Sequence, residues 1–447
     1  MMKANPLRIG ILGAGVTGLA AAWELSRAGH QVECYEAAPQ VGGLAAGFRE
    51  PEWEWSLEKF YHHWFTNDRD ALRLIDEIGA HNQLRILRPK TSIWIEGRSY
   101  RTELSPASLS LPLSPLALAR MAFTILYLKF TRNWAALEGV TADRWLRRWL
   151  GDEGYEGLFR PLLIGKFADA FDQVNMAWFW ARAVKRTTKL ATFAGGFQAF
   201  NEALAAAVRA QGAQIHLNAP VRALQFPQGQ PTLETPQGRQ RFDRVLITGS
   251  PRLLLRLAPQ LAETDYGAQL RSLRSIGAIC AIFSLREPLL TDGTYWLSLP
   301  AQSADRSRNE FPFLVLVEHT NFIDRRHFNG EHLIYCGDYV PSDHEYFQLD
   351  EASLLARFRA ALPKVNANFR DDWLRRSWLF RAPYAQPVPT LNHSAHIPPS
   401  QTPLPGLFWV SMSQVYPWDR GTNYAIELAR RAAALMVGET LPIMARS

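Results

Sequence analysis

Residues 8–18 read Arg-Ile-Gly-Ile-Leu-Gly-Ala-Gly-Val-Thr-Gly, an apolar run that ends in a glycine-rich turn. The run over 7–12 predicts a buried parallel strand, and residues 16–28 have the apolar spacing of a helix. Gly13 permits the tight turn, Gly15 lets a phosphate approach the backbone, and Gly18 lets helix and strand pack closely. The free N–H groups of the helix N-terminus attract an anion. The stretch therefore predicts a diphosphate-binding turn formed by Gly13, Ala14, Gly15, Thr17 and Gly18.

Two features after the turn indicate which dinucleotide is bound. Residues 31–36 predict a second strand, and Glu36 at its end is placed to accept hydrogen bonds from the hydroxyls of an adenosine ribose. A further glycine pair, Gly42-Gly43, is followed by Leu44. This pair lets a second loop reach the diphosphate, as the longer FAD molecule requires. We therefore expect non-covalently bound FAD and not NAD.

This ordered pattern, GxGxxG followed by ExxxxxGG, resembles the amine-oxidase-like flavoprotein superfamily. That superfamily includes protoporphyrinogen oxidases, carotenoid desaturases, monoamine oxidases and UDP-galactopyranose mutases. The resemblance implies an α/β fold with a Rossmann-type FAD-binding domain assembled from three chain segments. It also implies a mixed α+β substrate domain that carries a helical insertion. Many members have Arg or Lys where this chain has Leu44, so a phosphate contact from that position is lost or supplied elsewhere.

Later segments extend the same resemblance. Residues 195–200 and the helix predicted after them resemble the return of the chain to the FAD domain, and Val221 matches the position whose backbone meets the adenine. Near the end, Gly421, Thr422 and Asn423 open a predicted helix where the superfamily places backbone N–H groups near the flavin. The usual Gly-Asp after the preceding strand is absent, and Asp419 is expected to take over the ribityl contact.

The resemblance divides the chain into five segments. Three form the FAD-binding domain, one is a helical lobe facing substrate or membrane, and one supplies the sheet of the substrate domain. In chain order the segments are 1–68 (FAD), 69–190 (helical lobe), 191–260 (FAD), 261–390 (sheet) and 391–447 (FAD).

Candidate catalytic residues lie in two segments. His63 is similar to the histidine of UDP-galactopyranose mutases that lies against the flavin ring, although a packed aromatic–histidine cluster is the alternative. Its ordinary pKa range permits proton transfer. Lys166 and Arg182 can hold a carboxylate or phosphate, because both side chains are cationic.

Candidate substrate-binding residues are mostly aromatic. Trp178 and Trp180 would form a flat wall against which a lipophilic or ring-shaped substrate could bind. The alternative is that they belong to an ordinary core, where aromatic runs also occur. Tyr384 and Gln386, just before the last FAD segment, are further candidates for the same cavity. No metal site is expected, because the His residues lack ligand spacing with Asp, Glu or Cys.

Composition and charge limit the partners. The net charge of +7 comes entirely from residues 71–190, which hold 18 Lys/Arg and 11 Asp/Glu; the remainder has 31 of each. One local excess argues against a nucleic-acid binder and favours an anionic substrate or membrane surface. Three widely spaced cysteines fit no disulfide framework and indicate a reducing, cytoplasmic compartment.

The stretch 109–130 is the most hydrophobic part of the chain. Arg120 and two prolines interrupt it, so no uncharged run is long enough to span a bilayer. Its apolar side chains at helical spacing predict either a helix lying at the inner membrane face or a buried helix of the second lobe. The members of this face are Leu116, Phe123, Leu126 and Phe130.

These features predict an FAD-dependent oxidoreductase, namely an oxidase, dehydrogenase or desaturase. It would remove a hydride from a small, lipophilic or ring-shaped substrate. One alternative is a UDP-galactopyranose mutase-like enzyme that uses reduced FAD on a nucleotide sugar. A protein that binds flavin or nucleotide without catalysis is the other.

Overall fold

A computed structural model describes residues 5–102 and 110–438. Its first layer is a five-stranded sheet in the order β10-β2-β1-β14-β20, in which every neighbouring pair is parallel. The strands are β1 (Arg8–Leu12), β2 (Gln31–Tyr35), β10 (Gln214–His216), β14 (Arg244–Ile247) and β20 (Leu407–Trp409). They come from the start, middle and end of the chain, which confirms the predicted assembly from three segments.

Three helices cover one face of this sheet. They are α1 (Val16–Arg27), α7 (Gly196–Ala210) and α11 (Thr422–Val437). Their apolar sides and the alternate residues of β1 and β2, such as Ile9, Ile11 and Cys34, form one buried cluster. Strands buried on both faces read as continuous apolar runs, which is why 7–12 predicted β1 so directly.

The second layer is a seven-stranded mixed sheet in the order β19-β15-β18-β17-β16-β7-β8. Only β16 and β7 pair in parallel, and the other neighbours are antiparallel. The strands are β7 (Lys90–Ile95), β8 (Arg98–Arg101), β15 (Ser275–Leu285), β16 (Thr294–Ser298), β17 (Val315–Glu318), β18 (His332–Val340) and β19 (Leu374–Pro387). Together with the parallel sheet, this layer confirms the predicted fold class.

The sequence predicted a helical lobe over residues 69–190. The structure shows that this segment contains both helices and strands. Its helices are α2 (Arg69–Glu77), α3 (Pro115–Phe130), α4 (Ala142–Gly154), α5 (Arg160–Phe167) and α6 (Met176–Lys185). Between α2 and α3 lie β6 (Leu84–Leu87) and the hairpin of β7 and β8. The hairpin completes the second sheet, because Ser92 and Ile93 pair with residues of β16. Its two-residue turn, Glu96-Gly97, has positive φ at both positions, which is the geometry that closes a tight hairpin.

The remaining elements are short. The strands are β3 (Gly47–Phe48), β4 (Leu57–Glu58), β5 (Trp64–Phe65), β9 (Leu190–Phe193), β11 (Ala223–Gln225), β12 (Thr232–Thr235) and β13 (Gly238–Arg241). The helices are α8 (Pro251–Leu257), α9 (Asp265–Ser272) and α10 (Glu351–Arg359). Val221 and Arg222 lie in the loop before β11.

Candidate functional site

The turn between β1 and α1 requires glycine at two positions for reasons internal to the fold. Gly13 has φ +101°, and its N–H donates to the Tyr35 carbonyl oxygen at 2.9 Å. A Cβ on Gly18 would lie 1.9 Å from the carbonyl oxygen of Gly13, far inside contact distance. Gly13 and Gly18 therefore allow the strand, turn and helix to pack.

Gly15 has no such internal reason to be glycine. A Cβ there would meet nothing closer than the Gly43 Cα at 3.7 Å, an ordinary contact. Gly15 bridges to Gly42, whose N–H donates to the Ala14 carbonyl at 2.9 Å, so the two glycine loops lie side by side. No side chain caps α1, which begins with Val16 and Thr17. Backbone N–H groups and glycine Cα atoms thus form a surface that fits a closely approaching diphosphate.

Glu36 lies beside this turn at the carboxyl end of β2. Its carboxylate accepts hydrogen bonds from the N–H groups of Ala14 at 2.8 Å and Ala38 at 2.9 Å. Val221 follows β10 at the same edge of the sheet and is half-buried against the apolar cluster that includes Leu12 and Tyr35. The structure therefore brings the predicted adenosine-binding residues to the carboxyl edge of the parallel sheet, where nucleotides bind in such folds.

The start of α11 uses its side chains for internal contacts. The Trp64 indole N–H donates to Thr422 Oγ1 at 2.7 Å, and the Ala71 N–H donates to Asn423 Oδ1 at 3.0 Å. Gly421 precedes the helix, and no side chain caps it. The backbone N–H groups of the first turn remain for a ligand, since the side chains of Thr422 and Asn423 hold α11 against β5 and α2.

Asp419 brings together four other residues that the sequence singled out separately. Its carboxylate accepts hydrogen bonds from Arg182, from the Trp178 indole N–H at 3.2 Å and from the Gln386 amide at 3.2 Å. The Lys166 Nζ lies 3.9 Å away. Asp419 was predicted to contact the ribityl chain, but its carboxylate is already surrounded by side chains of this protein.

Charge and burial oppose each other at this carboxylate. Burial raises the pKa of Asp419, but the charges of Lys166, Arg182 and Arg420 outweigh it and hold this pKa below its ordinary value. The pKa of Lys166 lies well below its ordinary value, because burial and the charges of nearby arginines exceed the attraction of Asp419. Asp419 is therefore ionised throughout the physiological pH range.

A small, partly open cavity of about 50 Å³ lies next to this network. Its walls are mostly apolar and include Leu44 and three residues of β15, and Arg420 also lines it. The lining residues are Leu44, Phe60, Tyr61, His62, Ala278, Ile279, Cys280, Tyr339, Ala382, Ala385 and Arg420. Sequence reasoning missed Tyr61, Tyr339 and Arg420; Arg420 directly follows Asp419, and that adjacency was the available signal.

The predicted histidine lies beside this cavity without lining it. His63 Nδ1 is 3.4 Å from the Tyr295 hydroxyl, and its ring packs against Phe65 and Trp296. Burial, followed by the charges of His62 and nearby arginines, lowers the pKa of His63 to about 3. The imidazole is therefore neutral near pH 7, so the expectation of an ordinary histidine pKa was wrong.

The predicted aromatic wall is mostly buried in the core. Trp180 stacks on Trp418, and its indole N–H donates to the Thr131 carbonyl oxygen at 3.0 Å. Trp178 packs edge-on against Phe167. The Tyr384 hydroxyl bonds to Ser411 and Ser413 on the loop after β20. Neither tryptophan is among the residues that line the cavity, so a substrate-binding role for them stays a prediction.

Helix α3 presents an apolar face outward. Leu116 is 70% exposed and Phe130 is 77% exposed, and Phe123, Leu126 and Tyr127 are exposed with them. The alternative of a fully buried helix is therefore wrong for this face. Residue 109, the first of the predicted hydrophobic stretch, lies outside the described residues. No helix within residues 5–102 and 110–438 is long and apolar enough to cross a bilayer.

The described residues contain no cluster of three or more His, Cys, Asp or Glu side chains that could hold a metal ion. The three cysteines, Cys34, Cys280 and Cys336, are free and buried.

Comparison with known proteins adds a family and a fold. Residues 16–437 match the family model described as flavin-containing amine oxidoreductase. Among curated proteins, an L-amino-acid oxidase from Sistrurus catenatus edwardsii is 49% identical over 49 residues, which cover 11% of this chain and 10% of that protein. Matches to the first such relatives span only 10% to 16% of their lengths.

Two solved structures have the same fold across nearly the whole chain. A proposed protoporphyrinogen oxidase from an Exiguobacterium species has a TM-score of 0.74 at 17% identity, covering 98% of this chain and 100% of that one. A reduced UDP-galactopyranose mutase has a TM-score of 0.72 at 15% identity, covering 97% and 96%. At these identities the likeness concerns the fold.

Proposed function

Since the family match extends over residues 16–437, the chain belongs to the flavin-containing amine oxidoreductases, and we propose that it is an FAD-dependent oxidoreductase. It acts on a small lipophilic molecule as an oxidase, dehydrogenase or desaturase. The observation that carries the proposal is the open backbone surface at Gly15, where the fold itself has room for a side chain. A bound diphosphate explains why that position is glycine.

The cofactor is held by the chain without a covalent bond. The loops of Gly13–Gly18 and Gly42–Gly43 would bind the diphosphate, Glu36 would bind the ribose, and the backbone at Val221 would contact the adenine. The Cys280 thiol lines the cavity, but burial raises its pKa, which keeps it protonated and poorly nucleophilic. When bound, FAD supplies an acceptor for two electrons and a proton as a hydride.

The chain's own residues prepare the site around that acceptor. The uncapped first turn of α11, Gly421–Asn423, directs backbone N–H groups that stabilise negative charge. Leu44, Phe60 and Ala278 keep the cavity apolar and exclude water. We assign His63 a hydrogen-bonding role as a neutral imidazole. We assign Lys166 to the binding of an acidic substrate group, and Arg182 holds Asp419 in place beside it.

The visible spectrum of the purified protein tests the cofactor proposal. We expect the two absorption bands of oxidised flavin, with FAD released into the supernatant when the protein is denatured. Anaerobic bleaching by porphyrinogens, polyenes or apolar amines would support an oxidoreductase. A colourless protein that takes up no FAD would refute it, and turnover of a nucleotide sugar only after dithionite reduction would show the mutase instead.

We further propose that α3 and the neighbouring helix α4 bind the surface of an anionic membrane from the cytoplasmic side. The exposed apolar residues of α3 lie beside Trp149, which stacks on Trp145 and Phe123. Exposed basic residues surround this apolar face: Arg120, Lys129, Arg132, Arg144 and Arg148. Apolar insertion and attraction to anionic lipid then act together. Sedimentation with anionic vesicles at low salt tests this, and protein that stays in the supernatant would overturn it.

A further inference from the structure

Four cationic side chains lie around the single carboxylate of Asp419. We call Lys166, Arg182, Arg186 and Arg420 the basic cluster. Arg182 pairs directly with Asp419, Lys166 lies 3.9 Å from it, and the Arg420 backbone N–H donates to it at 3.1 Å. The charges of the three arginines all act on Lys166. Four cations against one carboxylate leave three positive charges, or two when Lys166 is deprotonated.

Some polar atoms in and beside this cluster have no hydrogen-bond partner among the described residues. The buried Nε of Arg420 has no hydrogen-bond partner there, and neither has the buried Oε1 of Gln386 beside Asp419. Arg186 is exposed to solvent and makes no hydrogen bond or ion pair with the residues that the structure describes. Burying a polar or charged group without a partner costs free energy, so a ligand that supplies one to Arg420 or Gln386 is stabilising.

Arg306 shows how the same fold treats a guanidinium that serves structure alone. It is almost completely buried and pairs with both carboxylate oxygens of Asp338, at 2.8 and 2.9 Å. It also donates to the carbonyl oxygens of Gly165 and Tyr339, at 3.1 and 3.0 Å. That charge is compensated by a carboxylate of its own and by backbone carbonyl oxygens, whereas among the described residues the four cations of the basic cluster share the carboxylate of Asp419.

The cluster adjoins the apolar cavity through Arg420. Arg420 is one of the cavity's lining residues, and so is Tyr339. The Tyr339 ring lies 4.2 Å from the Lys166 ammonium and 5.1 Å from the Arg420 guanidinium carbon, measured to the ring centroid. The Tyr339 hydroxyl accepts a hydrogen bond from Arg420. An apolar space that ends in excess positive charge fits an amphiphile with an acidic head group.

We propose that Lys166, Arg186 and Arg420 form the subsite for a carboxylate or phosphate group of the substrate, whose apolar part occupies the cavity. Asp419 and Arg182 are positioning residues in this subsite, because their charges are paired with each other. The inference rests on the proposed function and specifies its substrate class as an acidic lipophilic molecule. Sequence reasoning identified Lys166 and Arg182 but not Arg186 and Arg420, which carry the uncompensated charge.

Calorimetric titration of the FAD-loaded protein with sodium decanoate and decyl phosphate, against 1-decanol, tests the subsite. We expect the two acids to bind more tightly than the alcohol. Arg186→Gln and Arg420→Gln should each raise the Kd of the acids about tenfold or more, because each removes one charge-assisted contact. Arg420→Lys should restore part of the affinity. Arg239→Gln, an exposed arginine on β13, should leave the Kd unchanged.

Equal binding of the alcohol, or an unchanged Kd in both Gln variants, would overturn the subsite. Binding of UDP with no binding of either decyl acid would also overturn it and would place a nucleotide diphosphate there. The FAD content per chain and thermal unfolding of each variant show whether it is folded. If the wild-type protein contains no FAD, the proposed function is contradicted. If it is fully loaded with FAD but binds neither decanoate nor decyl phosphate, only the subsite is contradicted.

Discussion

Asp419 and Arg182 form an ion pair across 237 positions of the sequence. Arg182 belongs to α6 in the helical part of the chain, and Asp419 lies on the loop that leads into α11 on the parallel sheet. One carboxylate thus fixes the helical part against the last segment of the nucleotide-binding sheet. The same carboxylate is the counter-ion of Lys166.

Replacing Asp419 by Asn should destabilise the protein by about 3–5 kcal/mol at pH 7, because it leaves buried cations without their counter-ion. The folded-state pKa of Asp419 is lowered, so its contribution is present above the ordinary value of 3.8 and is lost as pH falls below it. Urea unfolding from pH 7 to pH 3 measures both effects. The exposed Asp172→Asn is the control, and an equal loss in both variants would contradict this reading.

The Gly15→Ala variant tests whether glycine at this position is required for binding FAD and not for folding. The new Cβ meets no protein atom closer than 3.7 Å, so the cofactor-free protein should keep its unfolding temperature. The Kd for FAD should rise about tenfold or more, because the methyl group occupies the path of the diphosphate. Fluorescence titration of the apoprotein with FAD measures this.

Two further glycine variants act as controls for that titration. Gly139→Ala lies in open space and should change neither property. Gly18→Ala should instead disrupt folding, since its Cβ would lie 1.9 Å from the Gly13 carbonyl oxygen. Unaltered FAD affinity in Gly15→Ala would argue against a diphosphate at this turn.

Glu58→Gln should stabilise the protein at pH 8 and not at pH 5. Burial raises the pKa of Glu58 to about 7, although its carboxylate accepts the Phe197 N–H at 2.8 Å. Because the folded state holds this proton more tightly, stability falls as pH rises from 4.5 through 7. Glutamine keeps an acceptor and carries no charge, so we expect a gain of about 1–3 kcal/mol at pH 8.

Thermal unfolding at both pH values checks the Glu58 prediction. The exposed Glu263→Gln should show no comparable difference between the two conditions. A gain of the same size at pH 5 would mean that the carboxyl group is not the source of the effect.

The pair of Arg306 and Asp338 should be among the most costly to break. Arg306→Met leaves the buried Asp338 unpaired and should lower the free energy of unfolding by about 3–5 kcal/mol. Arg308→Met, two residues away and exposed, should change it by less than about 0.5 kcal/mol. Denaturant melts of the two variants compare them directly, and similar losses would rule out a special role for the buried pair.

Replacing Phe123 and Phe130 together by Ser should abolish sedimentation with anionic vesicles, because both side chains project from the exposed face of α3. Wild-type binding should weaken as salt rises, since the surrounding arginines attract the lipid head groups. Leu391→Ser removes an apolar residue elsewhere that is 41% exposed, and this variant should bind as wild type does. Loss of binding in that control would indicate nonspecific adhesion.

The start of the fold was predictable because its signals are local. Residues 8–18 contain strand, turn and helix in one stretch, and Glu36 follows at the end of the next strand. The β7–β8 hairpin was missed although Glu96-Gly97 separates two runs of strand-forming residues. The long helices around it dominated the interpretation, and its burial depends on pairing with β16, some 200 residues later.

The charged network was only partly predictable for a related reason. Lys166 and Arg182 could be identified as cations near aromatic residues, but their pairing with Asp419 depends on the packing of α5 and α6 against the loop before α11. The low pKa of His63 comes from surroundings supplied by several elements, which no short motif encodes. Sequence spacing therefore identified residues of the site but not their charge states.

The strand order of the parallel sheet has a consequence for biosynthesis. The edge strand β20 pairs only with β14, and it precedes the loop of Asp419 and helix α11 in the chain. During translation the first strands emerge more than 300 residues before β20 does. The ribosome must therefore release more than 400 residues before the side chains around Asp419 can pack, and β14 keeps one edge unpaired until then.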